Sequence, residues 1–184
     1  YNSDALTILS QDLITDPVDM AAQREAFDQV EGYLYVVNSD GTLPVFMSIR
    51  KEKLQGWCRY ETEGKFKNIV NVNRTMYCVI ERTINGATVT HLEQLSNSSF
   101  LDSSIQLTDT TAQANWQAAH LPNTNVFVRN GNYSLGQYTT DATGNLTLTT
   151  TCKEVEIGIN YTPKLVTLPP EFQLQDGVSV GQKR

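Results

Sequence analysis

The chain has few of the features that identify several large classes of protein. None of its apolar runs approaches the ~20 residues that a membrane-spanning helix needs. Its three cysteines, Cys58, Cys78 and Cys152, are far apart and odd in number, which argues against a disulfide framework and against a metal site. Acidic residues outnumber basic ones by 20 to 14. The resulting net charge of -6, with Lys and Arg scattered, argues against tight nucleic-acid binding.

Catalytic signatures are also lacking. The sequence contains no phosphate-binding loop, dinucleotide fingerprint, nucleophile elbow or Asp-rich calcium loop. One of its two histidines, His91, shares a predicted strand face with Cys78, which raises the hypothesis of a Cys–His nucleophile pair. A packed histidine is the favoured interpretation, because the pattern offers no oxyanion donor and no orienting partner. We therefore predict no enzymatic activity, no cofactor and no metal site.

The chain does contain a long series of strand and turn patterns. The most specific is ERTINGATVTHLEQL, in which Asn85-Gly86 is a favoured pair for a type I′ turn with positive φ at both central residues. Counting outward from this turn places His91 opposite Ile80, on the same face as Cys78 and Glu93. Alternating or apolar runs predict strands over residues 30–37, 42–49, 56–63, 65–72, 75–84, 87–95, 125–130, 132–140, 145–151, 154–162 and 164–168.

Helical periodicity is confined to the first residues. Leu6, Leu9 and Leu13 lie on one face of a short predicted helix over residues 4–13, and a second helical stretch is predicted over 18–28. Residues 104–119 are polar and lack steady periodicity, so they are predicted to form a linker. The predicted segments are an N-terminal helical segment over 1–29, a propeller-like β-sheet region over 30–103, a linker over 104–119, a small β-sandwich or barrel-like domain over 120–170 and a flexible tail over 171–184.

The fold class is therefore mainly β, with propeller-like antiparallel sheets. Residues 33–37 and 76–80 are apolar on both strand faces, which predicts sheets that are covered on both sides. The unit GYLYVV–SDG resembles TMYCVI–TING at an offset of about 43 residues, close to the repeat of a four-stranded propeller blade. A propeller and a simple meander both fit this pattern.

Two adjacent charges in the hairpin need partners outside their own strand. Glu81 and Arg82 point to opposite faces, and a charge in a sheet covered on both sides must be paired or reach an edge. Arg59 and Glu93 are the nearest candidates. We hypothesise a buried Arg–Glu bridge that locks one sheet to the next; ordinary exposed strand-end charges are the alternative.

Several motifs follow one another along the chain: SDALTILSQDL, YLYVVNSDGTL, GWCRYETEGKFKNIV, VIERTINGATVTHLEQL followed by FLDS, HLPNTNVFVRNG and EVEIGINYTPKLVTLPPE. In this order they resemble the tail nozzle proteins of short-tailed phages, also called tail tubular protein B. The residues that carry the resemblance are Gly56, Trp57, Arg59, Gly64, Arg82, Thr83, Asn85, Gly86, Glu93 and Asp102.

The resemblance implies a non-enzymatic structural role in the virion tail. Members of the family are longer than this chain, form six-membered rings below the portal and adaptor, and continue the DNA-ejection channel. The resemblance thus implies a fragment of such a protein, with other copies, adaptor and fibre proteins as partners and DNA passing without sequence-specific binding. The acidic balance is compatible with a channel wall that repels DNA.

A receptor- or carbohydrate-binding β module of an adhesin is the alternative function. Such a module would display exposed aromatic side chains over a groove, and Trp57, Trp116, Tyr133 and Tyr138 are the candidates.

Overall fold

The computed structural model describes residues 12–24, 31–162, 171–174 and 177–180, the last two ranges as backbone only. This part of the chain is mainly β, as predicted. The strands are β1 Pro17–Gln23, β2 Gly32–Asn38, β3 Leu43–Ile49, β4 Leu54–Tyr60, β5 Lys65–Val72, β6 Thr75–Ile84, β7 Ala87–Gln94, β8 Asp102–Gln117, β9 Asn125–Asn130, β10 Tyr133–Thr139, β11 Asn145–Ile159, β12 Glu171–Leu174 and β13 Gly177–Val180. A 3-10 turn, Arg50–Glu52, joins β3 to β4.

The strands form antiparallel sheets that follow the chain in blocks. Sheet A contains β1, β2, β3 and β4 in that order, and sheet B contains β5, β6 and β7 in that order. Sheet C has the order β10-β9-β11-β8, and β12 pairs with β13. No helix in the described residues has the length and apolar content needed to cross a membrane.

The predicted Asn-Gly hairpin is confirmed. Asn85 and Gly86 have φ values of 49° and 76°, and Ile84 lies opposite Ala87. The same register pairs His91 with Ile80 and Cys78 with Glu93, as counted from the turn. The positive φ at both turn residues matches the right-handed twist of the flanking strands, so this local pair fixes the register of the whole hairpin.

Sheets A and B pack face to face around a shared core. It consists of Tyr35, Val37, Leu43, Val45, Phe66, Ile69, Met76, Cys78 and Ile80. The prediction of two covered faces holds for residues 35–37 of β2, which are all buried. In β6 the residues alternate instead: Met76, Cys78 and Ile80 are buried, whereas Tyr77 and Val79 are half-buried because their side of sheet B faces away from sheet A.

The predicted linker over 104–119 is wrong, because β8 runs through it from Asp102 to Gln117. It pairs with β11 in sheet C, and Trp116 joins the core of that sheet. The Ser, Thr and Gln residues that suggested a linker lie mostly on exposed or half-exposed positions of this strand. Thr is a good strand former, so polar composition alone does not distinguish a solvated strand from a loop.

Four further expectations differ from the structure. The predicted strands 145–151 and 154–162 are one continuous strand, β11. The helix expected over 18–28 is wrong where the structure describes it, because β1 pairs with β2 along one edge of sheet A. Strands of the predicted sandwich or barrel over 120–170 form one four-stranded sheet together with β8, rather than two stacked sheets. The tail predicted to be flexible contains the β12–β13 pair.

Two expectations lie outside the described residues. The structure does not describe residues 1–11 and 163–170. Most of the predicted helix over 4–13 lies in the first range, and the predicted strand over 164–168 lies in the second. The segment boundaries drawn from the sequence stay predictions.

The core of sheet C continues into the tip of the sheet B hairpin. Its buried residues are Ile84, Trp116, Ala118, Leu121, Val126, Val128, Leu146, Leu148, Cys152, Val155 and Ile157. Of these, Ile84 belongs to β6, and Val89 of β7 packs against the same cluster. The junction between sheets B and C is therefore apolar at the hairpin tip, at Ile84, and charged two residues earlier on β6, at Arg82.

Candidate functional site

Arg82 is the largest fully buried side chain in the described residues and is only 1% exposed. The alternation of β6 places it on the core face, in line with Cys78, Ile80 and Ile84. A guanidinium in this position loses its hydration, which costs several kcal/mol unless other groups satisfy it. The surroundings of Arg82 therefore decide whether this part of the sheet is stable.

All five N–H donors of the guanidinium are satisfied. Two bonds go to Glu93, from Nε at 2.6 Å and from Nη2 at 2.7 Å. Two go to Asp102, from Nη1 at 3.0 Å and from Nη2 at 2.8 Å. The fifth runs from Nη1 to the carbonyl oxygen of Glu63 at 2.9 Å. Since arginine has five such donors and no acceptor, the cation is fully bonded and paired with two carboxylates.

Asp102 also binds the segment that connects β4 to β5. Its carboxylate accepts the hydroxyl of Thr62 at 2.8 Å and the backbone N–H of Glu63 at 2.7 Å. A Cβ on Gly64 would lie 2.6 Å from the carbonyl oxygen of Glu81 and 3.0 Å from Cγ of Arg82. Only glycine lets the connection approach β6 closely enough for the Glu63 carbonyl to accept a bond from Arg82.

The arrangement stabilises the charged form of each partner. Burial alone would lower the pKa of Arg82, but its bonds to Glu93 and Asp102 and their negative charges raise it overall. Burial alone would raise the pKa of Asp102, and the bonds from Arg82 and the Glu63 N–H outweigh it, so this pKa is lowered. Within the described residues every buried polar side-chain atom has a hydrogen-bond partner.

Both histidines border this cluster, in a cleft of about 1190 Å³. His91 Nδ1 lies 3.5 Å from Glu93 Oε1, and the rings of His91 and His120 are 5.9 Å apart between centroids. His120 Nε2 donates to the carbonyl oxygen of Ser103 at 2.7 Å. Burial raises the pKa of Cys78 to about 12, so its thiol stays neutral near pH 7 and lacks the thiolate that a Cys–His pair needs.

The structure brings together four residues of the resemblance and leaves the others apart. Gly64, Arg82, Glu93 and Asp102 meet in the arginine cluster. Asn85 and Gly86 form the turn, Thr83 is exposed, and Trp57 packs on Phe46 with ring centroids 5.1 Å apart. Gly56 has open space around it, because a Cβ there would meet nothing within 4 Å.

Two of the charges proposed to lock the sheets are not in the cluster. Arg59 is exposed and pairs at 2.5 Å with Glu61, which directly follows the end of β4. Glu81 lies on the opposite face of β6 from Arg82, across from Lys65 and Thr90. The pattern of the β6–β7 hairpin identified Arg82 and Glu93, but nothing in the sequence pattern linked Arg82 to Asp102, which is 20 positions along the chain in another sheet.

A second ionic cluster holds the segment that precedes β8. Glu156 of β11 accepts the backbone N–H groups of Phe100 and Leu101 at 2.7 and 2.9 Å. Its other oxygen accepts from Arg129 Nη1 at 3.0 Å, and the Arg129 guanidinium lies 4.1 Å from the centre of the Phe100 ring. Glu154 and Glu156 alternate with Val155 and Ile157, a pattern typical of an exposed carboxylate face, but Glu156 is buried. The alternation missed this cluster, because the bonding partners are backbone groups of a loop.

The aromatic residues proposed for a carbohydrate groove do not share a surface. Trp116 is buried in the core of sheet C, where its indole N–H donates to the Gln113 carbonyl at 3.2 Å. Trp57 is on sheet A, whereas Tyr133 and Tyr138 lie on β10. Tyr133 is exposed, and the Tyr138 hydroxyl lies 3.2 Å from Thr149 Oγ1.

No family model matches the chain, and no curated protein is similar to it at a significant level. Within the described residues, no group of three or more His, Cys, Asp or Glu side chains is arranged to hold a metal ion.

Proposed function

We propose that the chain is a non-enzymatic structural component of a phage tail nozzle and contributes to the wall of a ring-shaped DNA-ejection channel. The observation that carries the proposal is the convergence at Arg82. Four residues of the resemblance, separated by up to 38 positions from Gly64 to Asp102, meet in one fully bonded cluster. The motif is therefore concentrated at a structural joint, where its residues connect sheet B to neighbouring segments.

A joint of this kind suits a wall that must keep its shape. A buried arginine with two carboxylates contributes little net stability compared with apolar packing. Removing one partner is nevertheless costly, because it leaves a buried charge without a counter-charge. The cluster thus favours a single arrangement of the β4–β5 connection, the sheet B hairpin and the start of β8. Fixed geometry is of more use to a channel component than to a site that must open for a substrate.

The stacking of sheets A and B supports the propeller as the finer description of this region. Sheet A is a four-stranded meander in sequence order, sheet B follows it in the chain, and the two pack face to face as neighbouring blades do. The repeat of about 43 residues agrees with that arrangement.

The proposed partners are other copies of the protein in a ring of about six, the number that the resemblance implies. Adaptor and fibre proteins of the tail are further proposed partners, and the proposed location is the tail of the virion. DNA would pass through without specific binding, because a chain with a net charge of -6 repels it.

Electron microscopy of the full-length protein tests the proposal. We expect class averages of a six-fold ring with a central hole. A matched preparation carrying Arg82→Ala is expected to give fewer intact rings, because the joint within each subunit is lost. A dispersed monomer of the intact wild-type protein would contradict the proposal.

A further inference from the structure

Sheet B has one strand fewer than sheet A, although the two sheets follow the same plan. Strand β2 begins at Gly32, and β6 begins 43 residues later, at Thr75. The β2–β3 and β6–β7 hairpins therefore correspond to each other. In sheet A a further strand, β4, pairs with the far edge of β3. The corresponding edge of β7 has no partner strand among the described residues.

The chain positions that correspond to β4 are diverted into sheet C. The same offset of 43 residues leads from β4 to residues 97–103. The first five of these form no strand, and Glu156 of β11 accepts the backbone N–H groups of Phe100 and Leu101 at 2.7 and 2.9 Å. The chain then enters β8, which pairs with β11 in sheet C. The edge of β7 is thus left open because the chain that follows it is bound elsewhere.

The open edge of β7 presents a row of backbone groups. The two-residue turn makes Ile84 and Ala87 a hydrogen-bonded pair, and such pairs alternate along an antiparallel hairpin. The residues between them on β7 direct their N–H and C=O groups away from β6; they are Thr88, Thr90, Leu92 and Gln94. Within the described part of the chain no backbone group bonds to them on that side. An edge of this kind is a template for another strand.

The inner side of β4 lacks the cover that its neighbour β3 has. Cys58 and Tyr60 lie opposite Val45 and Leu43, which are buried in the core shared with sheet B. Residues directly opposite each other in a sheet share a face, so Cys58 and Tyr60 also point toward sheet B. Tyr60 is nevertheless 40% exposed, and Cys58 is exposed as well. A fourth strand on β7 would lie opposite β4 and cover both side chains.

The chain comes back to this edge after it has completed sheet C. The cleft of about 1190 Å³ is lined by residues 59–62, at the end of β4, and by residues 90–96, along β7 and just beyond it. Tyr161, two residues after the end of β11, lines the same cleft. A chain advances at most about 3.6 Å per residue, so Lys164 lies within about 11 Å of Tyr161.

The residues that follow Tyr161 suit the open edge. The sequence KLVTL, at positions 164–168, is the last strand that the sequence predicts, and it lies outside the described residues. Pro163 and Pro169 flank it, and proline is found at the ends of strands rather than in their interior. Five residues of strand span about 17 Å, which is also the length of the five residues of β7 that line the cleft.

We propose that residues 164–168 dock on the open edge of β7 and supply the fourth strand of sheet B. A strand from a second copy has to be recruited from solution, whereas this segment is tethered beside the edge, which raises its effective concentration there. Sheet C is then an insertion between the third and fourth strands of a four-stranded blade. The pairing rests on the propeller-like arrangement proposed above and holds whether or not the protein forms a ring.

Amide hydrogen exchange of the full chain, resolved by residue with NMR, tests the pairing. The outward amides of Thr90 and Leu92 are expected to be protected in the wild type. Val166→Pro should speed their exchange at least about ten-fold, because proline cannot lie inside the new strand, and should leave the amide of His91, which bonds to β6, unchanged. The matched control is Val178→Pro in β13, which should change neither. Free exchange of the outward amides in the wild type, or equal effects of both proline variants, would overturn the proposal.

Disulfide trapping decides the case in which Val166→Pro opens sheet B itself and His91 exchanges faster too. Leu92→Cys is combined in turn with Leu165→Cys, Val166→Cys and Thr167→Cys. Opposite Cβ atoms of paired strands lie about 4.5–5.5 Å apart, close enough for a disulfide to form with little movement. One of the three pairs is expected to cross-link within a single chain at least about ten times more than the control pair Leu92→Cys with Val178→Cys. Yields no higher than the control, or a disulfide that joins two chains, would overturn the proposal.

The cross-linking variants all carry Cys58→Ser, because that native thiol is exposed. Electron microscopy of the same variants separates this pairing from the proposed function. Six-fold rings without the intrachain cross-link would overturn the pairing and leave the nozzle intact. The cross-link in a protein that forms no ring would support the pairing and contradict the nozzle.

Discussion

Arg82 makes five hydrogen bonds through its guanidinium, and its environment explains why a charge occupies a core position. Its two carboxylate partners, Glu93 and Asp102, are themselves mostly buried, with side chains 20% and 17% exposed. The three groups therefore depend on one another. Loss of the cation leaves two negative charges close together in a region of low dielectric, which is more damaging than loss of a surface pair.

Replacing Arg82 with alanine is expected to lower the free energy of unfolding by about 3–5 kcal/mol, because two buried carboxylates lose their counter-ion. Urea denaturation followed by circular dichroism measures the change. The matched control is Arg59→Ala, which removes an exposed arginine paired with Glu61 and is expected to cost about 0–1 kcal/mol. Equal effects of the two substitutions would contradict this view of the cluster.

Acid is expected to weaken the protein through Asp102. The folded state lowers the pKa of this carboxyl, so its contribution is fully present above its unfolded pKa of about 3.9 and is lost as the pH falls below that value. Asp102→Asn should be less stable than the wild type at pH 7. Its stability should also change less steeply between about pH 4 and about pH 2.

Urea titrations at a series of pH values measure both effects. A parallel decline of the wild type and Asp102→Asn below about pH 4 would assign the acid sensitivity to other carboxylates.

At the scale of the elements, the β4–β5 connection depends on the small size of Gly64. Gly64→Ala is expected to destabilise by about 1–3 kcal/mol, because the added Cβ meets the backbone oxygen of Glu81 at 2.6 Å. Gly56→Ala is the control, since the same methyl group there meets nothing within 4 Å. Thermal melts of the two variants measure the difference; a Gly56→Ala variant as unstable as Gly64→Ala would rule out this steric reason.

The elements that could be predicted are those whose signal is local. Asn85-Gly86 determines its turn through its own backbone preferences, and β5, β6 and β9 have the bounds that their patterns predict. Strand β8 was missed because its apolar residues are widely spaced between solvated Thr and Gln, and its stability comes from pairing with β11. Pairing of distant segments leaves no periodic signal in either one.

The candidate site was predictable to the same limited extent. Alternation along the hairpin places Arg82 and Glu93 on the same face of sheet B, and Glu93 was one of the two partners suggested for the hairpin charges. Asp102 joins them only after sheet C has docked beside sheet B, so its role follows from tertiary packing. Glu156 is similar, since the groups it binds are backbone N–H groups of residues 100 and 101.

At the scale of the whole molecule, the hairpin tip makes sheets B and C one cooperative unit. Ile84 belongs to β6 but is buried in the core of sheet C, two residues along the strand from Arg82 and its ion pairs. Unfolding of either sheet therefore exposes the apolar core of the other and breaks the ion pairs between them. We expect the described sheets to unfold in a single transition, as small cooperative domains do.

The two tryptophans allow the unfolding of sheet A and the unfolding of sheet C to be followed separately. Trp116→Phe leaves Trp57 on β4 as the only tryptophan, and Trp57→Phe leaves Trp116 on β8. In both backgrounds Ile84→Ala is expected to cost about 2–5 kcal/mol and to shift the urea midpoint equally, because a buried side chain is lost at the shared junction. Val72→Ala, at an exposed position of sheet B, is the control and should change both midpoints little. If Ile84→Ala shifted only the Trp116 signal, sheet C would unfold without sheet A, which would contradict a single transition.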